Sequence, residues 1–219
     1  MALPALSLLE TRVLGVLVEK QHTVPDTYPL TLNSLAAGCN QKTSRDPVLA
    51  ATEGEVQAAV DALQRHSLVM ESSGGRVMRY AHNVARVLGV PEQAVALLAT
   101  LMLRGAQTAA ELRMNSERLH RFADISAVEG FLRELAERPE GALVAELPRS
   151  PGTRETRYIH LLSGAPAPGE RIEGEGGGEA IVAVGEIAAL KRNVAEMRDD
   201  IERLRAVVAK LCAELGLNE

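Results

Sequence analysis

Residues 33–69 read NSLAAGCNQKTSRDPVLAATEGEVQAAVDALQRHSLV. The stretch begins and ends as a helix-turn-helix does. Leu32, Leu35 and Ala36 fall on one side of a short helix, TLNSLAAGC. Thr52 and Glu55 have capping-box spacing at the start of a longer one, TEGEVQAAVDALQRHS. Val56, Ala59, Val60 and Leu63 make its buried stripe. Between the two helices, NQKTSRDP is too polar and too long for a simple turn. Two roles are open to it. Its donors stand where a helix-turn-helix meets the DNA backbone. Equally, they can tie a long connection to the helix ends, with Asp46 restricted by Pro47. Short side chains such as Asn40 and Asp46 suit bracing, whereas the long cationic Lys42 and Arg45 suit reaching outward.

Upstream, Ser7 and Glu10 form another capping box, and Leu6, Leu9, Val13, Val16 and Leu17 fall near helical spacing. A helix from about Ser7 to Gln21 follows, ended by the two prolines of TVPDTYPLT. Downstream, LVMES and RVMRYAH read as strands joined by SGGR, where Gly74 and Gly75 supply the positive φ of a tight hairpin. Three helices and a hairpin give the order of a winged helix-turn-helix. The order then recurs. PEQAVALLATLMLRG, TAAELRMNSERL and SAVEGFLRELAER are helices, the last capped by Ser126 with Glu129, and LVAELPR and TRYIHLL form a hairpin around SPGTRE. The ends of the repeats agree in identity, Arg79-Tyr80-Ala81-His82 against Arg157-Tyr158-Ile159-His160. A period of roughly 78 residues points to tandem units.

Composition agrees. Aromatic content is 2% with no Trp, so cores must be built from Ala, Leu and Val, a palette that suits helices. The formal net charge of -5 excludes a chain-wide basic field for nucleic acid. Cys39 and Cys212 share no motif, which implies no disulfide framework and suits the cytoplasm. Glu10 and Arg12 break the first apolar run, so neither a signal peptide nor a membrane span is expected.

From Gly164 the sequence GAPAPGERIEGEGGGEA reads as a flexible acidic linker. A heptad follows, with Ile187, Val194, Ile201, Val208 and Leu215 at a, and Leu190, Met197, Leu204 and Leu211 at d. Mostly β-branched a with mostly Leu d favours a two-stranded parallel coil. Lys191, Arg198 and Arg205 at e would repel in an antiparallel pair, whereas a parallel pair sets Asp200 against Arg205. The expected organisation is therefore a mainly α fold with small β-hairpins: winged-helix units over 1–82 and 83–163, a linker over 164–182 and a dimerising helix over 183–217.

TVPDTYPLTLNSLAAGCNQKTSRDPV resembles the YceH-like family of bacterial proteins, and the similarity extends over about residues 5–163. That resemblance implies two winged-helix domains in tandem. It implies no activity and no catalytic or ligand residues.

The third helices argue against simple DNA reading. Glu53, Glu55 and Asp61 outnumber Arg65 on the first, and only Gln57 and Gln64 could read a base edge well. Lys42 and Arg45, with Arg76, Arg79, Arg149, Arg154 and Arg157 near the hairpins, are the candidate contacts to phosphate or to a partner. Cys39 reads as a small buried thiol, and the five histidines show no metal-ligand spacing. No nucleophile elbow, phosphate loop or dinucleotide fingerprint is present, so neither catalysis nor a cofactor is expected. The sequence favours a DNA-associated or regulatory protein that binds duplex DNA. The alternative is a protein-interaction scaffold that touches no nucleic acid.

Overall fold

In the computed structural model, which describes residues 4–72, 77–148 and 155–164, helices dominate and two small antiparallel sheets sit among them. Helix α1 (Leu8–Thr23) starts at Ser7, whose side chain and that of Glu10 close the capping box reciprocally. A 3-10 turn at Pro25–Thr27 and a short strand β1 (Leu30–Thr31) lead to α2 (Leu32–Cys39). Helix α3 (Glu53–Arg65) carries the Thr52–Glu55 box and buries Val56, Ala59, Val60 and Leu63. Strands β2 (Val69–Ser72) and β3 (Arg79–His82) follow. A short helix α4 (Val84–Leu88), which the sequence pattern does not signal, ends at Gly89 with φ 62°. The order then recurs as α5 (Glu92–Arg104), β4 (Gln107–Thr108), α6 (Ala109–Asn115), α7 (Ile125–Ala136), β5 (Val144–Glu146) and β6 (Arg157–His160).

Each sheet has three strands rather than a bare hairpin. The orders are β1-β3-β2 and β4-β6-β5, with Leu30 opposite Tyr80 and Gln107 opposite Tyr158. Two-residue strands carry too little pattern to be seen in sequence. The start of α7 also differs from expectation. Asp124, not Ser126, is its N-cap, accepting from the Ala127 N–H at 2.8 Å, because a carboxylate two residues upstream reaches the free amides first. Gly74 and Gly75 lie outside the described residues, as do the linker beyond Gly164 and every heptad position.

Helices α1 and α5, equivalent members of the two sets, pack against each other and join both sets in one hydrophobic core. Gly15 makes this approach possible. A Cβ there would lie 2.8 Å from Leu103 Cγ and 3.4 Å from the Ala99 carbonyl oxygen. Helix α5 is buried along most of its length and α1 through its middle, Thr11–Val18, so Ala, Val and Leu fill these faces almost all round.

Candidate functional site

The connection between α2 and α3 is built on arginines. Arg12 of α1 is fully buried, and donates to the carbonyl oxygens of Cys39 at 3.2 Å and Pro47 at 2.6 Å. Its Nε has no partner among the described residues. Burial first, then the nearby charge of Arg45, depress its pKa. Arg45 leaves the connection and turns inward. Its side chain is 0% exposed and meets Glu19 of α1 through both terminal nitrogens, at 2.5 and 3.3 Å. It also donates to the carbonyls of Gly38 and Ser44. Glu19 accepts Lys20 at 3.0 Å as well. Burial opposes the Glu19 charge, but the hydrogen bond and charge of Arg45, then of Lys20, outweigh it and hold the carboxyl below its usual range.

The outward role expected of Arg45 is thus corrected. The residue is a brace, because Glu19 offers a bidentate partner two turns along the helix face that already carries Arg12. Asp46 is corrected in the opposite sense. Its side chain is exposed, and it is the backbone N–H that binds, to the Leu103 carbonyl at 2.8 Å. Asn40 braces as its short side chain suggests, bonding the N–H and C=O of Ala51, both at 2.8 Å. Arg104 at the end of α5 donates to Ser44 Oγ at 2.7 Å. The polar segment therefore ties α1, α2 and α5 together. Lys42 is exposed, with no hydrogen bond or ion pair to the described residues.

Of the other expected contacts, Gln57, Arg79 and Arg157 are also engaged within the chain. Gln57 donates to Asp61 at 2.6 Å and accepts the Tyr80 hydroxyl at 3.0 Å. Arg79 donates to the carbonyls of Thr27 and Pro29, and Arg157 to that of Ala106. The last two are equivalent, since each arginine holds the residue just before the first strand of its own sheet. Tyr80 is buried and its hydroxyl reaches α3, so it spans the sheet and the third helix. Gln57 and Arg79 thus flank the first sheet, while Arg157 belongs to the second. Arg76, Arg149 and Arg154 lie outside the described residues.

Cys39 is buried and its thiol is pushed up to about 12, chiefly by burial, which leaves it inert as a nucleophile. Among the described residues no group of three His, Cys, Asp or Glu could hold a metal ion, and no helix is long and apolar enough to cross a membrane. His82 accepts the Val84 N–H at Nδ1, and its Nε2 meets Gln21 Oε1. Burial, then the charge of His22, lower its pKa to about 4. His160 sits at the equivalent strand end with an unpartnered Nδ1, and burial lowers it to about 4 as well.

Sequence reasoning passed over two exposed features of the second set. Arg118 and Arg121 stand on the turn before α7, and Ile125 opens that helix at 42% exposure. The sequence does carry a signal for the second: an Ile directly after an N-cap, where the first set has Glu53.

The chain is similar to relatives over nearly its whole length. A UPF0502 protein of Burkholderia multivorans is 58% identical over 217 residues, 99% of this chain and 92% of the relative. One from Methylibium petroleiphilum is 59% identical, covering 99% and 93%. Another from Burkholderia lata is 55% identical, covering 99% and 92%. The family described as "Protein of unknown function, DUF480" matches residues 6–153, and the chain belongs to that family.

Proposed function

We propose that this chain is a non-enzymatic protein-interaction module of the cytoplasm. It comprises two winged-helix units, residues 1–82 and 83–163, an acidic linker over 164–182, and a helix over 183–217 that pairs two copies. One observation carries the choice of protein over DNA as partner. Arg45, Gln57, Arg79 and Arg157, four of the candidate contacts to nucleic acid, all spend donors or acceptors on their own chain. The third helices add to it, since Glu53, Glu55 and Asp61 on α3, and Glu129 and Glu134 on α7, are exposed where phosphate would approach.

A second reading, association with duplex DNA, draws on exposed Lys42 and on Arg118 and Arg121, which stand on the two connections before α3 and α7. Duplex titration of the full chain at about 50 and 200 mM salt separates the two, because phosphate contacts lose affinity steeply over that range. Weak binding that ignores salt supports the protein-interaction reading. A steep slope that Lys42→Ala and Arg118→Ala flatten overturns it. Pairing through the heptad is tested by light scattering with residues 180–219 deleted, where halved particle mass is expected and unchanged mass refutes it.

A further inference from the structure

Aligned on their N-caps, Thr31 with Thr108 and Thr52 with Asp124, the two sets can be compared position by position. Asn33 then corresponds to Ala110, Glu53 to Ile125, Gln57 to Glu129, Glu71 to Glu146 and Tyr80 to Tyr158. In the first set these residues close the space between α2, α3 and β3. Asn33 Nδ2 donates to Glu53 Oε1 at 2.8 Å, and the Tyr80 hydroxyl donates to Gln57 Oε1 at 3.0 Å. In the second set neither bond forms. Ala110 and Ile125 carry no polar side-chain atoms, and the Tyr158 hydroxyl donates to Glu146 Oε1 at 3.3 Å instead. The result is an open cleft of about 300 Å³. Ala109, Ala110, Ile125 and Tyr158 line it, and Glu129 and Glu155 are exposed at its edge.

We propose that this cleft receives a Lys or Arg side chain from a basic protein segment. The inference rests on the protein-interaction reading and names the chemistry of the partner. A cleft of this volume is at the lower end of ligand sites and suits one long side chain. The Ala109, Ala110 and Ile125 side chains match a methylene stem, Thr108 and Thr156 share the lining, and the two edge carboxylates match the cationic head. Among the described residues, nearby cations do not fill that role. Arg157 is held by the Ala106 carbonyl and by Glu111 at 3.7 Å, and Arg133, one turn beyond Glu129, makes no ion pair with it. Burial, then the charge and hydrogen bond of Glu146 and the charge of Glu129, raise the Tyr158 phenol against the opposing charge of Arg133.

The test uses the full chain and two capped, fluorescent hexapeptides, Ala-Leu-Arg-Arg-Leu-Ala and Ala-Leu-Glu-Glu-Leu-Ala. Binding of the first and not the second is expected. Glu129→Gln should weaken it by about tenfold, as loss of one charge-assisted bond does, while Glu137→Gln on the same helix leaves it unchanged. The double substitution Ala110→Asn with Ile125→Glu rebuilds the closing pair of the first set and should abolish binding. Equal weakening by Glu129→Gln and Glu137→Gln would reduce the effect to net charge and overturn the site. So would full binding by the double variant, an outcome that leaves the protein-interaction reading intact. Steeply salt-dependent binding to duplex DNA with no peptide binding would overturn both.

Discussion

Replacing Arg45 separates a brace from a contact. Arg45→Met keeps an apolar stem but removes the guanidinium. Glu19 then loses two hydrogen bonds while its side chain is only 15% exposed, and the Gly38 and Ser44 carbonyls lose a donor. Removing one member of a buried ion pair costs about 3–5 kcal/mol. Lys20, 3.0 Å from Glu19, keeps part of the compensation, so the lower end, about 3 kcal/mol, is expected. For a protein of this size that is a fall in Tm of roughly 6–12 °C. Lys42→Ala, at the third residue of the same segment, should stay within about 0.5 kcal/mol. The double variant Arg45→Met with Glu19→Met should recover most of the loss, because an apolar pair leaves no charge stranded. Thermal and urea unfolding of the four proteins reads this directly. Arg45→Met as mild as Lys42→Ala would refute the buried pair. Acid adds an independent check. The folded Glu19 carboxyl is depressed, so its contribution is full above the unfolded carboxylate range and is lost as pH falls through the folded value.

Asn40→Ala removes both bonds to Ala51 and should cost about 1–3 kcal/mol in denaturant unfolding; a change below about 0.5 kcal/mol would contradict the bracing role. Gly15→Ala places a Cβ 2.8 Å from Leu103 Cγ at the α1–α5 joint, and overpacking of about 1–3 kcal/mol should outweigh the helix-propensity gain of about 1 kcal/mol. A neutral or stabilised variant in the same assay would show that the joint yields. His82 and His160, each at about 4 when folded against about 6.5 unfolded, take up protons in the unfolded chain first. Stability should therefore fall as pH drops from about 6.5 towards 4, by at most about 3 kcal/mol per histidine. Unfolding curves of His82→Gln with His160→Gln between about pH 7 and 5 should lose that slope, and an unchanged slope would assign it elsewhere.

The helices were legible because their signals are local. The Ser7–Glu10 and Thr52–Glu55 boxes sit where spacing puts them, and the stripe from Val56 to Leu63 is buried as its period requires. What escaped was non-local. The partner of Arg45 lies 26 residues away in α1, and no pattern within NQKTSRDP announces it. A hint did exist on the other side. Arg12 and Glu19 are seven residues apart, on one face of a helix whose neighbours Val13, Val16 and Leu17 are wholly buried. Two charges on a face so enclosed demand partners, and the nearest unassigned charges were in the polar segment. Side-chain length misled for the same reason. A long cation reaches inward as readily as outward once a carboxylate and free helix-end carbonyls wait inside.

The duplication divides the surface more sharply than charge counting does. Where the repeats agree, equivalent residues play equivalent parts. Arg79 and Arg157 each hold the carbonyl before the first strand, and His82 and His160 each end the third strand. Such positions maintain the fold, whatever their charge, which is why two of the expected contacts proved internal. Where the repeats differ, the fold does not dictate the residue. Asn33 and Glu53 close the first set against each other, while Ala110 and Ile125 cannot, and Ile125 keeps 42% of its surface in water. An open cleft with carboxylates at its edge is the default place to look for contact with another molecule. The divergent positions at the heads of α6 and α7, rather than the shared arginines, are therefore where recognition by this fold should be sought.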